Sequence, residues 1–323
     1  LAHLEHDIPI TPETVFYMGS VSKQFVAAAI LLLEQDGKLS LDDPVQKHVP
    51  ELPDYTSPIT VRHLVNHTSG LRDYLGLLQL AGRPIDQFHD DAGIIELLAR
   101  QRGLNFEPGS RYAYSNSGYF LLNVIVERAS GKTLREFAAE RIFGPLKMEH
   151  THFHDDYQYI IKNRAMAYFP AGRRKYKQFM NTFDRVGSGG VYSNVLDLFR
   201  WEQNFHEHTV GGRDLYEAQH RRGTLSNGDE LDYAAGLVHG QHRGLKTVAH
   251  GGALGGYRTE LIRFPKQRFA VAVLANISNA NPGSLARRVA DLYLSDEYKT
   301  RSVATPAGKT EPELVELADD DLK

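Results

Sequence analysis

The order of patterns along the chain constrains its fold most: helical periodicity fills the first two thirds, and strand-like runs are confined to the last third. Leu245 to His250, Tyr257 to Phe264 and Phe269 to Ile277 are rich in β-branched and aromatic residues, which reads as strands. Pro265-Lys266-Gln267-Arg268 between the last two fits a hairpin turn, and Pro282 to Leu294 reads as an amphipathic helix able to cover the sheet. Upstream, helical patterns run over Val21–Gln35, Thr60–His67, Asp91–Arg102, Ser117–Ala129, Thr133–Ile142 and Asn194–Phe205. Several are closed by glycine at 37, 103 and 131, and Thr60 stands where a cap is needed. Helices first and strands last exclude alternating βαβ units and predict an α+β fold, an α/β sandwich in which an antiparallel sheet is flanked by helices. A mostly helical region carrying Tyr114 would face that sheet, with a groove between them as the natural substrate cleft.

Residues 1–298 are expected to form one domain, and 299–323, rich in Lys, Thr, Pro, Glu and Asp, a linker or mobile tail. A net charge of -3 gives no electrostatic reason to expect nucleic acid or an anionic membrane. The longest apolar run, Phe25 to Leu33, is far shorter than the ~18 residues of a membrane span. No cysteine is present, which removes disulfides, thiolate zinc sites and a thiol nucleophile while leaving the compartment open. No signal peptide is visible, and the chain begins at Leu1.

Chemistry enters with Gly19-Ser20-Val21-Ser22-Lys23. Three-residue spacing sets Ser20 and Lys23 on one helical face, with Cβ atoms about 5–6 Å apart. A serine hydroxyl needs a base within hydrogen-bond reach, and a lysine serves when burial lowers its pKa. The helix start adds backbone N–H groups and partial positive charge that favour a developing oxyanion. Alone, the pair reads more simply as a capping serine and a solvated lysine. Tyr114 can accept or relay a proton if nearby cations lower its pKa. Asn116 can donate to a substrate amide and hold Lys23. The glycines after His250 let a substrate backbone lie close to the strand edge.

Taken together and in this order, Ser20-Val21-Ser22-Lys23, Tyr114-Ser115-Asn116 and His250-Gly251-Gly252 resemble the motifs of the serine β-lactamase and penicillin-binding protein superfamily. The finer likeness is to its class C β-lactamase branch of esterases, DD-peptidases and D-aminopeptidases. It is carried also by Ile59 to Leu71, by Tyr112 to Tyr119 and by Gly187 to Ser193, and runs from about Phe16 to Leu294.

The resemblance implies Ser20 as nucleophile, Lys23 as its proton partner and Tyr114 as the base that later activates water or an acceptor. Asn116, His250, Gly251 and Gly252 would bind substrate, and the backbone N–H groups of Ser20 and Ala253 would form the oxyanion hole. No metal or organic cofactor is implied. Substrates would be small esters, peptide-like amides or, weakly, β-lactams, and a periplasmic or secreted setting would fit; the oligomeric state is left open. The alternative is a sensor or scaffold that is acylated slowly or not at all.

Two departures stand out. A histidine replaces the lysine of the usual Lys-Thr-Gly triplet, which predicts a partly charged side chain and weaker carboxylate recognition. Ser20 also lies closer to the start than the family's N-terminal helix and first strands would allow, so the resemblance implies a truncated N-terminal edge.

Competing chemistry is poorly supported. His63 and His67 have zinc-binding spacing, but Leu64 stands where a zincin needs glutamate; a capped helix end with packed histidines accounts for them better. His150, His152 and His154 alternate on an extended segment, where a solvated loop is the simpler account than adventitious metal. No Gly-x-Ser-x-Gly elbow occurs, and Gly251 to Gly256 lies between strands rather than opening a helix as a phosphate loop would. Loops 72–90 and 145–185 carry too little pattern to reveal the shape of the pocket.

Overall fold

The computed structural model describes residues 1–84 and 89–298. The helices are α1 (Lys23–Gln35), α2 (Val61–Val65), α3 (Tyr74–Leu80), α4 (Asp91–Ala99), α5 (Asn116–Ser130), α6 (Leu134–Ala138), α7 (Val195–Glu207), α8 (Gly212–His220) and α9 (Pro282–Tyr293). The strands are β1 (Phe16–Tyr17), β2 (His152–Phe153), β3 (Ala167–Pro170), β4 (Tyr176–Phe179), β5 (Val191–Ser193), β6 (Val238–His242), β7 (Leu245–Leu254), β8 (Tyr257–Phe264) and β9 (Phe269–Ala275). The principal sheet is antiparallel in the order β6-β7-β8-β9. The expected α+β sandwich is therefore what forms.

Alternation along β8 explains the two layers. Ile262 and Phe264 point to one face, where they pack with Val271 against Ala286, Ala290 and Leu294 of the α9 side. Tyr257 and Leu261 point to the other and join the main core around α1 and α5. Every residue from Lys23 to Leu33 is buried, and a helix apolar all round can only sit at the centre of a fold. Phe25 anchors it, its ring 4.7 Å from Trp201 and 5.2 Å from Phe143 between centroids. The lysine that begins this helix is therefore carried into the interior with it.

Several boundaries shift for physical reasons. Helix α1 starts at Lys23, and Gly19–Ser22 forms a 3-10 turn leading into it. Strand β7 continues past His250 to Leu254, and Gly252 within it is the point where the strand lies against Met18. The stretch 145–190, expected to be irregular, contains β2 and the β3–β4 hairpin. Helices α3 and α8 and the edge strand β6 were not expected; β6 is polar, Val238-His239-Gly240-Gln241-His242, and mostly solvent-facing. Residues 299–323, expected as a tail, lie outside the described residues, and no helix among the described ones is long and apolar enough to cross a membrane.

The histidine pairs resolve as packing. His63 closes a capping box with Thr60, its backbone N–H donating to Thr60 Oγ1 and its Nδ1 accepting from the Thr60 N–H. His154 is buried rather than solvated, its Nδ1 3.3 Å from His152 Nε2, and burial holds both rings down to about 4. Among the described residues no group of three or more ligating side chains is arranged to hold a metal ion.

Phe25→Ala should lower unfolding free energy by about 3–5 kcal/mol in urea denaturation, the usual loss for a fully buried ring. A loss below 1 kcal/mol would mean that α1 is not the centre of the core.

Candidate active site

Ser20 lies in the turn that precedes α1, and two neighbouring segments hold this turn in place. Met18 donates its N–H to Val191 O at 2.8 Å, and β1 pairs with β5. The Val191 N–H donates to Ser22 Oγ and the Gly190 N–H to Tyr17 Oη, each at 3.0 Å. The Gly187–Ser193 segment thus wraps the turn from one side while β7 closes it from the other.

The contact with β7 requires glycine at two points. Gly19 has φ +54°, and a Cβ there would lie 2.5 Å from the Ala253 nitrogen. A Cβ on Gly252 would fall 2.0 Å from Met18 O. These distances set the backbone of the Ser20 turn directly against β7 at Gly252 and Ala253.

Lys23 has no exposed surface. Its Nζ donates to Ser20 Oγ at 3.2 Å, to Asn116 Oδ1 at 3.0 Å and to the carbonyl oxygen of Ser188. Burial pushes the amine down to about 7, with the Asp73 carboxylate acting in the opposite direction. In the neutral form the amine has a lone pair and two N–H groups. Two acceptors, Asn116 Oδ1 and Ser188 O, take the N–H groups, so the lone pair is directed at the Ser20 hydroxyl.

Asp73 sets that geometry and carried no sequence signal. One of its oxygens, Oδ2, accepts from Asn116 N at 2.6 Å and Asn116 Nδ2 at 2.9 Å, which fixes the amide with Oδ1 toward Lys23. Its Oδ1 caps α3 through the Leu75 N–H. Ser188 also went unnoticed; besides its carbonyl contact, its hydroxyl lies 2.9 Å from Tyr74 Oη.

Tyr114 stands over this cluster, 40% exposed, with its hydroxyl close enough to Ser20 to feel it and its ring centroid 4.9 Å from Lys23 Nζ. The condition set for phenolate chemistry is not met: desolvation raises its pKa despite the nearby amine. It is a neutral phenol at physiological pH. Its ring stacks 4.2 Å from that of His67, which is buried, has φ +58° and accepts the Ser115 N–H at Nδ1. The same His67 ring touches Tyr119 and Tyr233 at 5.0 and 4.6 Å.

His250 differs from expectation in charge. Burial and the neighbouring Lys23 pull it down to about 4, so it is neutral rather than partly charged near pH 7. Its Nδ1 lies 2.7 Å from Gly251 O, which assigns the proton there, and Nε2 then accepts from Tyr233 Oη at 3.3 Å. At 6% exposure, with both nitrogens engaged, the ring forms a wall of the site rather than a free donor. Beyond Ala253, a hollow of about 580 Å³ opens between Leu254, Phe169, Phe179 and Arg83, drawing on both loops that sequence patterning left undefined.

Fold and site together place the chain among proteins built on a Ser-x-x-Lys turn beneath an antiparallel sheet, the serine β-lactamase and penicillin-binding protein superfamily. The family model described as Beta-lactamase matches residues 1–294, and the chain belongs to that family. It is 32% identical over 291 residues to penicillin-binding protein 4* of Bacillus subtilis (strain 168), covering 85% of this chain and 63% of that protein. A D-aminopeptidase of Gluconobacter oxydans (strain 621H) is 30% identical over 279 residues, covering 86% of this chain and 52% of that protein. The chain thus spans between half and two thirds of the length of these curated relatives. Among solved structures, the octameric penicillin-binding protein homologue from Pyrococcus abyssi superposes with a TM-score of 0.78 at 30% identity, over 91% of this chain and 69% of that one.

Gly19→Ala should push β7 away from the nucleophile turn. Turnover of an ester substrate is expected to fall at least ~10²-fold, the scale of a lost oxyanion donor, while far-ultraviolet circular dichroism stays unchanged. Wild-type turnover in this variant would show that the two amides do not act together.

Proposed function

We propose that the protein is a serine hydrolase that forms an acyl-enzyme at Ser20 and acts on small esters and peptide-like amides, D-amino acid amides included. The observation that carries this reading is the buried Lys23 amine, held near neutrality at about 7 and hydrogen-bonded to the Ser20 hydroxyl. A lysine on the surface would be protonated and could not take a proton; this one can.

The steps balance with the residues present. Ser20 Oγ attacks the substrate carbonyl as its proton passes to the Lys23 lone pair, and the Ser20 and Ala253 amides hold the oxyanion. As the tetrahedral intermediate collapses, the bond to the leaving group breaks. Tyr114 donates its phenolic proton to the leaving amine or alkoxide and regains one from the Lys23 ammonium. Water then attacks acyl-Ser20, losing its proton through Tyr114 to Lys23, and collapse returns that proton to Ser20 Oγ. Tyr114 therefore acts as a neutral relay between the substrate and a neutral lysine.

Two features support the substrate class. Phe169, Phe179 and Leu254 give the hollow beyond Ala253 an apolar lining suited to a hydrophobic side chain of the substrate. A neutral His250 supplies no cation for a penicillin-type carboxylate, so β-lactams would be minor substrates. The D-aminopeptidase relatives fit an amide substrate of D configuration.

The reading is tested with p-nitrophenyl esters, D-aminoacyl p-nitroanilides and nitrocefin. Ester and D-anilide turnover should disappear in Ser20→Ala, and nitrocefin should be the poorest of the three. Unchanged turnover in Ser20→Ala would overturn the mechanism.

Because neutral Lys23 is the working form, kcat/KM should rise with pH and level off above about 7. Asp73→Asn removes the carboxylate that favours the ammonium form, so the same limb should move to lower pH while kcat falls as Asn116 is released. A limb that stays in place would show that Lys23 is not the titrating base.

A further inference from the structure

A second cavity, of about 450 Å³, lies between α7, α8 and the β8–β9 strands. None of Ser20, Lys23, Tyr114 or Asn116 lines it. Most of its wall is apolar, with Leu198, Phe199, Leu261, Phe269, Ala270 and Ala272 in contact with the space. Phe199 is 63% exposed at its mouth.

The polar element of this wall is unusual for an apolar hollow. Arg263 is only 5% exposed. Its Nη2 donates to Glu202 Oε1 at 2.7 Å and to Gln24 Oε1 at 3.0 Å, and the Phe205 ring lies 3.5 Å from Cζ. Its Nε and Nη1 are buried and have no acceptor among the described residues. A guanidinium carries five N–H donors, so most of this one's hydrogen-bonding capacity is unused where water is scarce. Arg268 stands at the rim, and among the described residues Glu202 is the only acid that lines the cavity. His206 and His220 are both held below the usual histidine range by burial and nearby arginines, and carry little positive charge at neutral pH. Two arginines against one carboxylate leave a surplus positive charge above an apolar wall.

We infer that this cavity is a binding site for a small amphipathic monocarboxylate, with its carboxylate on Arg263 and its aryl or alkyl body along Phe199, Leu261 and Phe269. Arginine is the side chain best suited to a buried carboxylate. An inorganic anion would leave the apolar wall unfilled, and an α-amino acid would bring an ammonium toward two arginines. A cavity of this volume holds a fragment-sized molecule rather than a folded partner.

Trp201, the single tryptophan of the chain, reports on the site, because its Nε1 donates at 3.1 Å to the same Gln24 Oε1 that holds Arg263. 4-Phenylbutyrate is the probe, followed by isothermal calorimetry and Trp201 fluorescence on the full chain, with 4-phenylbutanamide as the uncharged control. Saturable binding is expected, with a fluorescence change, and the amide should bind about tenfold or more weakly. Ala270→Phe, which puts a ring into the cavity from the strand position opposite Arg263 without removing the guanidinium, should weaken binding at least about tenfold. Arg263→Met should do the same, judged only if it melts cooperatively. Three results would overturn the inference: no saturable binding to the wild type, equal affinity for acid and amide, or undiminished binding in a folded Ala270→Phe.

Discussion

The desolvation of one amine governs the site. Lys23 begins a helix that is apolar on all sides, and burying that helix takes the side chain out of water. A buried ammonium is costly, so the free amine is favoured and the pKa falls from the usual lysine range to about 7. The neighbourhood is graded to stop the shift there. Only the Asp73 carboxylate opposes it, and it does so without forming a direct ion pair with the amine, whose acceptors are Asn116 Oδ1 and Ser188 O. A carboxylate in direct contact would hold the lysine charged and useless as a base, whereas a purely apolar shell would leave it neutral but unable to keep the proton it receives. The same balance bears on stability. The unfolded chain binds a proton at Lys23 that the folded chain resists, so between the usual lysine value and about 7 this group contributes less stability as pH falls.

The second constraint is contact between backbones. The Ser20 turn and β7 approach so closely that a methyl group on Gly19 or Gly252 would overlap main-chain atoms of the other segment. The hydroxyl of Thr259 on β8 donates to Met18 O at 2.8 Å, tying the next strand to the same turn. The oxyanion hole proposed for Ser20 and Ala253 would thus follow from how the sheet docks on the start of α1, and the register β7↔β8 that sets Gly252 opposite Thr259 would serve the site as much as the fold.

What the sequence revealed follows from how local each feature is. Ser20 and Lys23 are set by helical spacing, and β8, with alternating buried residues between clear turns, appears with the boundaries its pattern predicts. Helix α5 likewise ends at Gly131, in the left-handed conformation that a glycine stop permits. Asp73 and Tyr233 stand in no motif, and Ser188 and His67, though inside segments that carry the family likeness, gave no sign of their partners, because each role comes from residues far away along the chain. The Asp-x-x-Gly pattern of a cap at Asp73 was readable in principle, but it would have revealed the helix and not the contact with Asn116. Charge was the other blind spot. Tyr114 was read as a potential phenolate and His250 as partly charged, and burial reverses both expectations. Residue type supplies an ordinary pKa; only packing supplies the desolvation that moves it.

Those two reversals lead to one conclusion about how the site handles protons. With Tyr114 raised, and with His250 and His67 lowered, these three rings are neutral on either side of pH 7, and of the four groups only Lys23 changes charge there. Tyr114 and Asn116 then matter for where they direct a proton rather than for holding one. The aromatic cluster of His67, Tyr114, Tyr119 and Tyr233 serves that end, because rings packed on one another hold the phenol in place. It also explains why a histidine suffices in the third motif. A lysine at position 250 would bring a second ammonium toward Lys23 and lower its pKa further, unless a substrate carboxylate were present to compensate. The neutral ring avoids that repulsion and leaves the Lys23 amine at about 7 without the help of a substrate carboxylate.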